Sequence, residues 1–182
     1  MGKSDWLGLP GLQVVPSPNF NERPTGLAID SLVIHCISLP ERATSAAAPL
    51  ALFQNRLDYT AHPEFTQLAG LKVSSHFVID RQGQVHQCVP CNKRAWHAGQ
   101  SAAMGRSNFN DFSIGIELVG DVYTPFSCPQ MAALYPLIKQ LKASYPLKFA
   151  FAHSEIAPTR KTDPGPFFEW HLIRKPNTYR LL

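Results

Sequence analysis

His35 and His153 stand near the ends of two short runs of β-branched and aromatic residues, SLVIHCI and LKFAFAH, and Asp163 follows in a proline-bounded loop. Strand ends commonly open into a cleft where a loop can bring a third ligand alongside. Two imidazoles and one carboxylate make a three-ligand zinc set that leaves the fourth tetrahedral position to water, the feature that separates catalytic from structural zinc. Water at such a site ionises near neutral pH and a carbonyl can be polarised beside it, so the expected chemistry is hydrolysis of an amide without a covalent enzyme intermediate. Glu117 lies in FSIGIELVG on the side opposite the aliphatic row Ile114, Ile116 and Leu118. It is the candidate to accept a proton from water and return it to the leaving amine. Lys161 is two positions before Asp163, and in an extended loop both side chains point the same way. A cation there would stabilise the oxyanion, an effect typically worth a few kcal/mol of barrier. Taken singly, each residue is ordinary: strand histidines often belong to core or surface, Glu117 could face solvent from a half-exposed sheet, and Asp163 before Pro164 is a common turn opener.

The elements that would position these residues read as an α/β fold with a mixed sheet. SLVIHCI is apolar at both alternating sets of positions, as suits a strand covered on both faces. PLALFQNRL resembles a short helix with Pro49 at its start. SSHFVID and QVHQCVP flank Arg81-Gln82-Gly83 and predict a β-hairpin, with Gly83 supplying the positive φ of the turn. From Pro129 to Tyr145, Met131, Leu134, Tyr135, Ile138 and Leu141 mark an amphipathic helix capped by Ser127, stopped by Pro146 and kinked by Pro136. LKFAFAH predicts a last strand ending at His153, and a short C-terminal helix is expected from near Phe167. Residues 1–28, rich in Pro, Gly and Asn, read as an irregular arm laid over a single domain that spans 1–182. No repeat of solenoid type is present.

The 182 residues, 45% of them apolar, can bury one sizeable core. Net charge is +4, but the 17 basic and 13 acidic residues form no like-charged run, which argues against nucleic acid as a partner. No window approaches the roughly 20 apolar residues of a membrane span, and Gly, Pro and Ser interrupt every short apolar run near the N-terminus, so neither export nor membrane attachment is expected. Cys36, Cys88, Cys91 and Cys128 are read as reduced thiols of a cytoplasmic protein. Cys88-Val-Pro-Cys91 has knuckle spacing, but no second ligand pair follows it.

Four blocks, IHCISLP, KRAWHAG, NDFSIGIELVG and HSEIAPTRKTDPGP, together resemble the AmpD-type N-acetylmuramoyl-L-alanine amidases. With VPSPNF and VSSHFVIDRQG the similarity covers nearly the whole chain in the family's order. The resemblance implies a fold shared with phage zinc amidases and peptidoglycan recognition proteins: a central mixed sheet flanked by helices, with a zinc cleft on one side. It assigns His35, His153 and Asp163 to zinc, Glu117 to proton transfer and Lys161 to the transition state. It places Ala95, Trp96 and Arg106 against substrate, and an indole beside a guanidinium suits a sugar ring and a peptide carboxylate. Cys36 stands where the family usually has Asn, losing a two-way amide partner. Lys72 replaces an arginine, exchanging a planar fork for a point charge. His76 and His97 are read as second-rank neighbours of the ligands or as substrate-facing groups.

What the resemblance implies is a cytoplasmic zinc enzyme of wall recycling that frees the peptide from 1,6-anhydro-N-acetylmuramyl peptides, small soluble substrates; a monomer is expected. Three other readings use similar residues. A non-catalytic wall-fragment receptor would have lost a zinc ligand, a zinc peptidase would cut unglycosylated peptides, and an envelope amidase would carry an export signal.

Overall fold

The computed structural model describes residues 6–182, so the first five residues of the arm lie outside the described residues. Among the described residues there are ten strands: β1 (Gln13–Val14), β2 (Phe20–Glu22), β3 (Ser31–Ile37), β4 (Phe77–Ile79), β5 (Val85–Gln87), β6 (Lys93–Ala95), β7 (Ala102–Ala103), β8 (Arg106–Ser107), β9 (Ser113–Val119) and β10 (Phe149–Ala152). Six form a sheet of order β1-β5-β4-β9-β3-β10, while β2 pairs with β6 and β7 with β8. The β4–β5 pair is the antiparallel hairpin expected from sequence, and β3 runs parallel to both β9 and β10. The α-helices are α1 (Ala47–Phe53), α2 (Cys128–Ser144) and α3 (His153–Ile156).

Alternation along β3 and β9 sends side chains to two different cores. Leu32, Ile34, Ile114, Ile116 and Leu118 meet α2 through Leu134, Leu137, Ile138 and Leu141. The α2 helix begins as its sequence dictates, with a capping box between Ser127 and Gln130, and runs unbroken through Pro136. Gln130 is fully buried and donates to the carbonyls of Ile79 (3.1 Å) and Val119 (2.9 Å), tying the start of α2 to the ends of β4 and β9.

The opposite face of the sheet carries two separate apolar patches. Val33 and Phe151 pack with Ala98, Phe109, Phe112 and Ile156, while Val78 and Val119 pack with Leu52 and Phe53 of α1. His35 and Glu117 are paired on neighbouring strands of the same face, between these patches.

Three expectations are corrected. The arm is not wholly irregular, because β1 pairs with β5 and β2 with β6. Arg23 explains part of that order, since its guanidinium donates to the carbonyls of Cys91, Asn110, Asp111 and Ser113 at 2.9–3.2 Å. His153 does not end the last strand but opens α3. The C-terminal helix expected from Phe167 is only a 3-10 turn at Trp170–Leu172. Phe168 and Ile173 are both buried, a spacing of five that no single helical face presents, so packing prevails over local preference. Among the described residues no helix is long and apolar enough to cross a membrane.

Candidate metal centre and active site

The pairing of β3 with β10 and β9 brings the chemistry together. His35 lies beside Glu117 in register, and Ile34 beside Ala152, which delivers His153 at the next position. The backbone at His153 is fixed by Glu155, whose carboxylate accepts the Ala152 N–H at 2.7 Å and is held in turn by Arg174 at 2.8 Å. The loop that carries Asp163 closes on α3 through Ser154 N–H to the Asp163 carbonyl, 3.0 Å. Gly165 then passes so close to Val122 that a Cβ would stand 2.7 Å from the valine side chain.

Three donor atoms converge. His35 Nδ1 is 2.9 Å from His153 Nδ1, and each is 3.1 Å from Asp163 Oδ2. His153 Nε2 is 3.1 Å from the carbonyl of Ala98, which can only accept, so the proton of a neutral His153 sits on Nε2 and its Nδ1 is a bare lone pair. Lone pairs gathered this closely around a carboxylate oxygen repel one another unless a cation lies among them. Tetrahedral zinc with bonds of about 2.0–2.2 Å sets neighbouring donors roughly 3.3–3.6 Å apart. The gaps here fall short by only a few tenths of an ångström, within reach of small side-chain rotations. The residues therefore fit zinc, in donor chemistry and in spacing.

Glu117 Oε1 is 4.0 Å from His35 Nδ1, and its Oε2 is buried with no hydrogen-bond partner. Burial first, then the negative charge of Asp163, pushes the Glu117 carboxyl well above its usual range, with Lys161 opposing. Burial likewise drops His35 to about 4, which keeps its imidazole neutral. Cys36, Lys161 and Asp163 line one cleft of about 400 Å³, together with Glu41, Asp121 and Tyr123.

The remaining residues singled out in the sequence are dispersed. Trp96 is half-buried, and its indole N–H donates to Asn21 of the arm at 2.8 Å. Ala95 is fully buried and pairs with Phe20, so it offers no side-chain surface to a substrate. Lys72 is exposed on the segment ahead of β4. Arg106 is not drawn to the metal-site residues: its guanidinium bonds Asp30, which precedes β3, at 3.0 Å and lies over the Phe112 ring at 3.6 Å. His97, read from sequence as a neighbour of the ligands or a substrate-facing group, is 8% exposed and its ring nitrogens meet His35 and Ser113. His76 accepts the Gly115 N–H and contacts the Lys93 carbonyl, a packing role deep in the fold. Cys88 and Cys91 are free thiols buried in two different apolar clusters, so they form no knuckle.

Sequence reasoning missed Ala98, Asn110 and Ser113, which act through a carbonyl, an amide and a hydroxyl. The signal that could have pointed to them is Gly115, a glycine inside a strand, which marks close approach by another group. A Cβ there would stand 2.6 Å from the His97 ring and 2.8 Å from Ser75 Oγ.

Comparison with known proteins identifies the family. The family model for N-acetylmuramoyl-L-alanine amidases matches residues 25–166. The 1,6-anhydro-N-acetylmuramyl-L-alanine amidase AmpD of Escherichia coli K12 is 44% identical over 168 residues, covering 91% of this chain and 92% of that protein. A crystal structure of a selenomethionine derivative of AmpD superposes with a TM-score of 0.87 at 41% identity, covering 94% of this chain and 96% of that one. The amidase AmiD of E. coli, in complex with the substrate anhydro-N-acetylmuramic acid-L-Ala-D-γ-Glu-L-Lys, superposes with a TM-score of 0.60 at 32% identity, covering 83% of this chain and 59% of that one. With its mixed sheet, its convergent donors and these relatives, the chain belongs to the N-acetylmuramoyl-L-alanine amidase family.

Proposed function

We propose that the protein hydrolyses the amide bond between 1,6-anhydro-N-acetylmuramic acid and L-alanine in soluble muropeptides, as a monomeric zinc enzyme of cytoplasmic peptidoglycan recycling. The observation that carries this reading is the convergence of His35 Nδ1, His153 Nδ1 and Asp163 Oδ2 within 3.1 Å of one another beside the buried Glu117. Bound zinc would supply a Lewis acid for the amide carbonyl and lower the pKa of water to about 7. Glu117 takes the proton of the attacking water and returns it to the departing amine of L-alanine, a role suited to a carboxyl whose burial raises its proton affinity. Lys161, on the wall of the same cleft, faces the negative charge that develops on the carbonyl oxygen. Cys36, with Asp121 and Tyr123 nearby on that wall, contacts the substrate beyond the reacting bond.

The anhydro-sugar substrate is supported by similarity to the 1,6-anhydro-N-acetylmuramyl-L-alanine amidase AmpD over nine-tenths of both chains, and by the anhydro-muramyl peptide held by the more distant relative AmiD. Purified protein loaded with zinc should release free peptide from anhydro-N-acetylmuramyl tripeptide far faster than it cuts an unglycosylated peptide or intact wall sacci. Equal turnover of the unglycosylated peptide would make the protein a peptidase, and preference for sacci would make it an amidase of the assembled wall.

A further inference from the structure

The two candidate histidine ligands come from different strands, yet the outward nitrogens of both lead to one short segment. We propose that His97–Ala98, clamped by Asn110, orients both histidines for the metal, which makes His97 a positioning residue instead of a substrate contact. This assignment presupposes the metal site proposed above.

Hydrogen-bond polarity fixes every proton along the way. The Phe109 carbonyl can only accept, so Ser113 Oγ–H donates to it, 2.5 Å. The Ser113 oxygen is then free to accept from His97 Nε2–H at 3.3 Å. A neutral imidazole has one N–H, so His97 Nδ1 is bare and accepts His35 Nε2–H at 3.0 Å. His35 is thereby left with a bare Nδ1 facing Asp163. The second path is shorter: the Ala98 carbonyl accepts His153 Nε2–H at 3.1 Å and leaves that Nδ1 bare. Both paths begin at a main-chain carbonyl and end on a lone pair at the same point, the outer support that a ligating histidine requires.

The segment is built to stay in place. Asn110 Oδ1 accepts the backbone N–H groups of both His97 (3.1 Å) and Ala98 (2.8 Å). Arg160 donates to the Ala98 carbonyl at 2.9 Å. The His97 ring lies against Gly115, where any side chain would collide with it. His35, His97 and His153 are all buried, so solvent offers little competition for these bonds.

The test is zinc affinity, measured by competition with a chromophoric chelator, together with the visible spectrum of the cobalt-substituted protein. His97→Leu removes the acceptor for His35 and should weaken zinc binding about 10–100-fold and shift the cobalt bands. His97→Asn, whose Oδ1 can stand where Nδ1 stood, should recover most of that affinity. Ser113→Ala frees the His97 tautomer without changing core volume much, and should weaken zinc binding less than His97→Leu does. If His97→Leu fails to fold, Ser113→Ala decides. Variants of His97 and Ser113 that are folded and hold zinc as tightly as the wild type, with an unchanged cobalt spectrum, would overturn the assignment, as would an Asn variant no better than Leu. Wild-type protein that binds no zinc would overturn the metal site itself, so the two failures are distinguishable.

Discussion

His35 and Glu117 are in-register partners on the parallel strands β3 and β9, with His35 Nδ1 4.0 Å from Glu117 Oε1. One residue of a strand pair thus points to the metal donors while its neighbour holds a buried carboxylate beside them. Slipping either strand by one residue would turn one of the two side chains to the opposite face and dismantle the site.

Glu117 should be separable from metal binding. Glu117→Gln keeps the volume but cannot accept the proton, and kcat should fall about 10²–10⁴-fold. Zinc content, measured by atomic emission on the same sample, should stay near one equivalent per chain. A Gln variant with wild-type kcat would remove Glu117 from the chemistry.

Lys161 is expected to act on the transition state and not on the metal. Lys161→Met should lower kcat by roughly 10²–10³-fold with unchanged zinc content, the scale seen when one oxyanion partner is removed. A change confined to KM would reassign Lys161 to substrate binding.

The metal-free protein should lose stability as pH falls. His35, His76 and His97 are buried, and burial lowers the proton affinity of each imidazole below its ordinary value of 6.5. At these three sites the unfolded chain then binds more protons than the folded one, so their contribution is full above pH 6.5 and drains away as pH drops toward the folded values; the single Glu117 carboxyl, raised by burial, contributes in the opposite direction and is outnumbered. Each histidine can contribute up to about 1.4 kcal/mol per pH unit in that window. Urea midpoints of chelated protein at pH 7.5 and 5.5 measure this; a flat profile would contradict it.

Arg23 should anchor the arm. Burial lowers its guanidinium to about 10, which still leaves it charged at neutral pH. Arg23→Met would strip partners from the four carbonyls it bonds and should cost about 3 kcal/mol or more, read from the denaturation midpoint. An unchanged midpoint would show that the arm docks without it.

The sequence made some of this site plain and hid the rest for physical reasons. The juxtaposition of His35 and Glu117 was legible because alternation along a strand ties position to face, whereas Lys161 and Asp163 share the cleft wall with Arg160 and Thr162 after a turn in which the Lys161 N–H bonds the Ala157 carbonyl, so loop alternation does not account for their placement. His153 was found although it opens α3, since β10 still delivers it beside β3. Arg106 carries a binding role in the resemblance, yet nothing in its local sequence announces the bond to Asp30. Ala98 and Asn110 were illegible because a main-chain carbonyl and a side-chain amide gain their meaning only when the segment after β6 folds against β3 and α3. The same holds for the C-terminal turn, where burial of Phe168 and Ile173 set the conformation.

The most direct measurement follows free tripeptide released from anhydro-N-acetylmuramyl tripeptide by the purified protein as isolated, after exhaustive chelation, and after stoichiometric zinc is returned. The account predicts that activity is lost on chelation and restored by one equivalent of zinc, whereas His153→Ala binds no zinc and stays inactive throughout. Undiminished release from fully metal-free protein, or none from protein with one zinc per chain, would contradict it.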